Sequence, residues 1–166
     1  LFRNLLNVAL FALIVATAAE ARTLTLTLDG QEVLVDFTAP AAGRASPSFH
    51  GAVILAHGFT RTRKTMAGHA VTLAQDGYWI VVPDLPSVFD SRHNAVALRD
   101  LLQQLQHGVA GVQLNRFVLV GFSAGGLSAL LAADAPGVVG YVGLDPFDRP
   151  SGVGLEAARK LAIPAF

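Results

Sequence analysis

Residues 23–28, TLTLTL, alternate polar and apolar side chains, and a repeat of two marks a strand with one buried face. Asp29-Gly30 follows, a pair suited to a two-residue turn, and residues 32–37 read as the returning strand. This predicts a β-hairpin at the edge of a sheet. Residues 38–48, TAPAAGRASPS, are a loop by composition. The pattern then changes. Residues 51–56 (GAVILA), 78–82 (YWIVV), 117–120 (FVLV) and 138–144 (VVGYVGL) are short apolar runs without alternation, as expected of strands buried on both faces. Between them lie helical patterns. Residues 65–76 bring Met66, Ala70, Leu73 and Ala74 near one face, and residues 93–106 align Ala97, Leu98, Leu101, Leu102 and Leu105, with Gly108 placed to end the helix. Residues 124–133 make a small-residue helix. After residue 144 come a loop, a short helix over 153–161, and residues 162–166, which open a further buried strand. Strands alternating with helices predict an α/β fold: a three-layer α/β/α sandwich with a mostly parallel sheet and the antiparallel hairpin at its edge.

The chain has 166 residues, one domain's worth, with 52% hydrophobic and 14% charged residues, which excludes a disordered tail. Part of that apolar content is local. Residues 5–19 are apolar except for Asn7 and Thr17, Arg3 precedes them, and Ala19-Glu20-Ala21 is an A-x-A site. A basic start, a short apolar run and small residues at its end describe a secretory signal peptide over residues 1–21, leaving a single domain over 22–166. The run is shorter than the roughly 20 residues a spanning helix needs; the alternative is an anchor that stays uncleaved. The expected location is therefore periplasmic or extracellular, with no stable membrane association after cleavage. Arg3 and Glu20 fall in the leader, so the remainder carries eleven basic and eleven acidic residues and shows no footprint for nucleic acid. There are no cysteines, which excludes disulfides, thiolate chemistry, cysteine-ligated zinc and a lipoprotein anchor.

The candidate chemistry centres on Gly121-Phe122-Ser123-Ala124-Gly125, a G-x-S-x-G pentapeptide between a buried strand and a small-residue helix. A serine on a sharp strand-to-helix turn projects its hydroxyl at the carboxyl end of the sheet, the flanking Gly121 and Gly125 leave room for the turn, and the helix start aims free N–H groups at developing negative charge. The bland alternative is a serine in an ordinary βα turn. His57-Gly58-Phe59 ends the first buried strand, where a loop offers a backbone N–H to an oxyanion; Phe59 and Ala124 are the expected donors, each worth about 3 kcal/mol in the transition state. His57 reads as a residue that shapes this loop by hydrogen bonding, not as the base. Arg61, Arg63 and Lys64 read as a solvated helix start, or as a receptor for an acidic substrate group. Tyr78 and Trp79 read as core, and Asp84 as a loop or capping residue.

HGF after one strand and GFSAGG after a later one resemble the α/β-hydrolase superfamily, over a stretch running from about Thr23 to the last residue. Gly143-Leu144-Asp145-Pro146-Phe147-Asp148 is similar to the chlorophyllase and dienelactone-hydrolase-like esterase branch, and that resemblance implies Asp145 as the triad acid, with Asp148 the lesser candidate. Chlorophyllases flank the serine with His and Arg, where this chain has Phe122 and Ala124, so the resemblance does not extend to chlorophyll as substrate. In most other branches the acid follows the next strand. The superfamily's triad order is serine, acid, histidine, yet His50, His57, His69, His93 and His107 all precede Ser123. Either a histidine beyond Phe166 serves as base, which is the expectation that the Leu1 start and the stop within an apolar strand favour, or the protein is an inactive relative. The resulting expectation is a serine hydrolase cleaving a small-molecule ester through an acyl-enzyme, with no metal or organic cofactor. The same residues also suit an amidase, peptidase or thioesterase, or a non-catalytic ligand-binding relative.

Overall fold

A computed structural model of the protein describes residues 21–43, 51–109, 111–148 and 152–166. Most of the expected leader, residues 1–20, His50 and residues 44–48 of the loop over 38–48 lie outside the described residues. Six strands, β1 (Ala21–Leu28), β2 (Gln31–Thr38), β3 (Ala52–Ala56), β4 (Trp79–Pro83), β5 (Phe117–Phe122) and β6 (Val138–Leu144), form one sheet in the order β1-β2-β4-β3-β5-β6. The helices are α1 (Ala67–Gln75), entered through a 3₁₀ turn at Arg63–Met66, α2 (Ser91–His107), α3 (Ala124–Ala132) and α4 (Val153–Lys160).

The hairpin forms as its sequence dictates. Asp29 (φ 47°) and Gly30 (φ 75°) both take the left-handed conformation of the tight turn that matches strand twist. β1 pairs antiparallel with β2, and β2 antiparallel with β4; the β4–β3, β3–β5 and β5–β6 pairings are parallel. The sheet is thus mostly parallel with an antiparallel edge.

Helices cover both faces. On one, Ile54, Val81 and Leu119 pack with Leu98, Leu101 and Leu105 of α2 and with Ala129 and Ala132 of α3. On the other, Val53, Leu55, Ile80 and Val82 pack against Met66 of the 3₁₀ turn and Ala70 and Ala74 of α1. Each fully buried Leu or Ile contributes about 1.5–3 kcal/mol relative to exposure. Burial on both faces holds throughout β3, whose five residues are all buried. In β5, Val118 and Val120 are only half covered, because α1 on their side lies over β4 and β2. Tyr78 and Trp79 are half-buried at the margins of the two clusters.

Two ends differ from the expected ones. α2 starts at Ser91 because the Asp90 carboxylate accepts the Arg92 and His93 amides; it stops at Gly108 (φ 93°), as expected. Residues 162–166 do run parallel to β6, with Tyr141 N–H on Pro164 O (3.0 Å) and Gly143 N–H on Phe166 O (2.8 Å). They are not buried. Phe166 is 84% exposed, while Ile163 is half-buried against the larger core cluster. No helix among the described residues is long and apolar enough to cross a membrane.

Candidate active site

The carboxyl ends of β3, β5 and β6 meet at Ser123. β5 brings the chain in, α3 takes it away, and Ser123 absorbs the change of direction at φ 51°, ψ −120°. Such a conformation costs a non-glycine residue about 1–3 kcal/mol and persists only where the surroundings hold it. Here the Ser123 N–H donates to Leu144 O (3.0 Å), and the Ser123 carbonyl accepts the amides of Gly126 (2.9 Å), Phe147 (3.2 Å) and Leu127 (3.4 Å). A serine before a helix ordinarily uses its hydroxyl to cap an early helical amide. This one makes no side-chain cap; its carbonyl takes the amides instead. Oγ is left on a half-exposed residue without a hydrogen-bond partner among the described residues.

The glycines of the pentapeptide are there for backbone clearance. A Cβ on Gly121 would strike the backbone of Gly125 and Gly126, and one on Gly125 would strike the carbonyls of Ala56 and His57 at the end of β3. The following Gly126 lies under Pro146: its Cβ would come within 2.9 Å of the proline Cβ. β3, β5 and α3 can approach this closely only without side chains at those points. Tyr141 completes the junction. Its hydroxyl donates to Gly126 O (3.1 Å), and burial pushes its pKa up, so the phenol stays a neutral donor.

Phe59, Ala124 and Gly125 line one cavity of about 40 Å³ with His57, Gly58 and Val88. About 10–15 Å³ of such space holds one water, so the cavity accepts a small polar group. The Phe59 and Ala124 amides have no acceptor among the described residues. Larger depressions of about 240 and 370 Å³ lie between α2, α3 and α4; Ser123 is not a lining residue of these or of the small cavity, which begins at its neighbour Ala124.

His57 is buried and both ring nitrogens are engaged: Nε2 accepts the Leu85 amide (2.9 Å), which leaves Nδ1–H to donate to Gly58 O (3.0 Å). That assigns the neutral tautomer, and it ties the β3 loop to the end of β4. His69 is exposed on α1, His93 pairs with Asp29 (3.3 Å), and His107 bonds Gln103 O (2.9 Å); none of the described histidines hydrogen-bonds to Ser123.

The β6 loop is stitched to the elbow through Leu144 and Phe147, so Asp145 stands between two residues that bond the Ser123 backbone. Asp145 itself has φ 50°, an exposed side chain and no hydrogen bond among those described. Asp148 is differently employed. Its carboxylate accepts the Gly154 (2.9 Å) and Leu155 (3.1 Å) amides, capping α4.

The expectation of a solvated start at Arg61, Arg63 and Lys64 is corrected at its middle residue. Arg61 and Lys64 are exposed, but the Arg63 side chain is only 11% exposed. Nε donates to Asp36 Oδ1 (2.9 Å) and Nη1 to Asp84 Oδ2 (2.8 Å), while the Arg63 amide donates to Asp84 Oδ1 (2.7 Å). Burial opposes the charge, yet the bond and charge of Asp36, then those of Asp84, outweigh it and raise the Arg63 pKa. Asp84 is therefore an ion-pair partner rather than a plain loop residue. Sequence reasoning missed this pairing because no short-range signal connects residues 36, 63 and 84. The Asp90 and Asp148 caps were more accessible, since each aspartate precedes a helix.

Residues 53–166, more than half of the chain, match the model of the alpha/beta hydrolase family. The chain belongs to that family. Solved structures with this alpha/beta hydrolase fold include a dienelactone hydrolase from Anabaena variabilis, at 20% identity and a TM-score of 0.72 over 89% of this chain and 72% of that one. An esterase from Pyrococcus furiosus aligns at 18% identity with a TM-score of 0.62, over 77% of this chain and 50% of that one. A bacterial heroin esterase aligns at 21% identity with a TM-score of 0.59, over 76% and 44%. The chain thus spans about half or less of the latter two proteins. No curated protein matches it by sequence.

Proposed function

We propose that this alpha/beta hydrolase cleaves carboxylic esters by acyl transfer to Ser123. The observation that carries the reading is the state of the elbow. A serine held in a strained turn by four backbone hydrogen bonds keeps its hydroxyl out of helix capping. It does so next to a small cavity of about 40 Å³ lined by Phe59 and Ala124, whose amides have no acceptor among the described residues. Ser123 Oγ attacks the ester carbonyl carbon. The carbonyl oxygen becomes an alkoxide stabilised by the Phe59 and Ala124 N–H groups. Collapse expels the alcohol, and water releases the acid from the acyl-serine. A serine needs a base to react at neutral pH. The proposal gives that role to a histidine beyond Phe166, oriented by Asp145, and takes no step through a metal or cofactor. The leader-like residues 1–21 place the enzyme outside the cytoplasm in this reading.

The test uses protein from the complete reading frame, p-nitrophenyl esters of graded acyl length, and Ser123→Ala. Turnover is expected to fall at least about a thousandfold, as for removal of a serine nucleophile. Retention of full turnover by Ser123→Ala would sink the assignment.

A further inference from the structure

We propose that Arg63 is a positioning residue for the oxyanion loop, acting through the place it gives the Phe59 amide; this rests on the reading of that amide as an oxyanion donor. The loop from His57 to Arg63 is tied to the rest of the protein mainly at its two ends. Phe59, Thr60, Arg61 and Thr62 are all exposed. Within the loop, Arg61 N–H bonds Gly58 O (3.1 Å) across a turn whose Thr60 has φ 53°, and the Phe59 ring meets Phe89 edge-on at 5.5 Å. At the front, His57 holds the Leu85 amide. At the back, Arg63 grips Asp84 with both its backbone and its guanidinium. Two adjacent residues at the end of β4 therefore fix both ends of the segment that carries Phe59.

The clamp reaches further than the loop. Asp36 on β2 takes the second arm of the guanidinium and also the Thr23 hydroxyl of β1 (2.6 Å). The Asp84 amide in turn donates to Leu34 O (2.8 Å). Arg63 is the cation between two carboxylates, and a planar fork meets two separate acids in a way that a lysine ammonium does not. Displacement of a donor by about 1 Å costs on the order of a hundredfold in rate. Loosening the rear tie should therefore appear in the transition state and not in ground-state binding.

The experiment compares Arg63→Lys with parent enzyme from the complete reading frame. It measures kcat, KM, Tm and the affinity of a trifluoromethyl ketone, a reversible mimic of the tetrahedral adduct. The expected result is a fall in kcat of about tenfold to a hundredfold. KM should stay within about twofold, and affinity for the ketone should fall by the same factor as kcat. Arg99→Lys is the control. That arginine bonds Asp134 (2.7 Å) and the Leu131 carbonyl between α2 and α3, away from the loop, and its loss should lower Tm alone. If Arg63→Lys does not fold, Asp36→Asn, which spares the Asp84 arm, decides by the same criterion with a smaller effect. Unchanged kcat and unchanged ketone affinity in a less stable Arg63→Lys would overturn the proposal. Ser123→Ala separates the two readings. If it retains turnover the nucleophile is misassigned; if it abolishes turnover while Arg63→Lys keeps full kcat, only the clamp fails.

Discussion

Ser123 and Asp145 sit at the ends of neighbouring parallel strands with nearly the same backbone twist, φ 51° and 50°, and they are held very differently. Ser123 is half-buried, its amide and carbonyl make four hydrogen bonds, and glycines on both sides let β3 and α3 close around it. Asp145 is exposed and its carboxylate has no hydrogen bond among the described residues, although Pro146 behind it packs over Gly126 and Gly143. Strain at the first is over-determined by its surroundings. At the second the backbone is placed while the side chain is left open. In the proposed reading, with Ser123 as nucleophile and Asp145 as acid, local packing fixes the nucleophile end, and the acid acts only once a histidine ring lies against it.

The most forceful way to break this comparison is Asp145→Asn. If Asp145 orients the base, kcat should drop by about a thousandfold or more, as when a triad aspartate loses its charge, with Tm nearly unchanged because the side chain is exposed and makes no hydrogen bond among the described residues. Full activity in this variant would move the acid to another residue and leave Asp145 as a turn. Next comes Gly125→Ala. The added methyl meets the carbonyls of Ala56 and His57, and thermal unfolding should register a loss of about 1–3 kcal/mol as β3 and α3 are pushed apart. The same substitution at Gly68, where nothing lies within 4 Å, should instead raise stability by about 0.5 kcal/mol. Matching signs for the two would mean that the elbow is looser than the structure has it. The smallest effect belongs to Asp148→Ala, which removes the cap from α4. It should cost about 1 kcal/mol in chemical denaturation and leave kcat alone. A large loss of kcat there would make Asp148, not Asp145, the acid.

The legible part of this protein was the part written within a few residues. The alternation of residues 23–28 and Asp29-Gly30 specify the hairpin, because side-chain period and turn φ are local properties. The unbroken apolar runs locate four parallel strands, and Gly-x-Ser-x-Gly between strand and helix locates the elbow. The sequence could not indicate which faces would be half covered. Val118 and Val120 are as apolar as Ile54, and only the placement of α1 over β4 and β2 leaves them partly open.

Likewise, nothing around Arg63 distinguishes it from its exposed neighbours Arg61 and Lys64. Its partners lie 27 residues before it and 21 after it, on strands that become neighbours only when β2 pairs antiparallel with β4. Local pattern therefore determined the elements and the serine's turn. Tertiary structure decided which charges are buried and which loop they hold, because a buried charge is tolerated only where folding delivers its counter-charge.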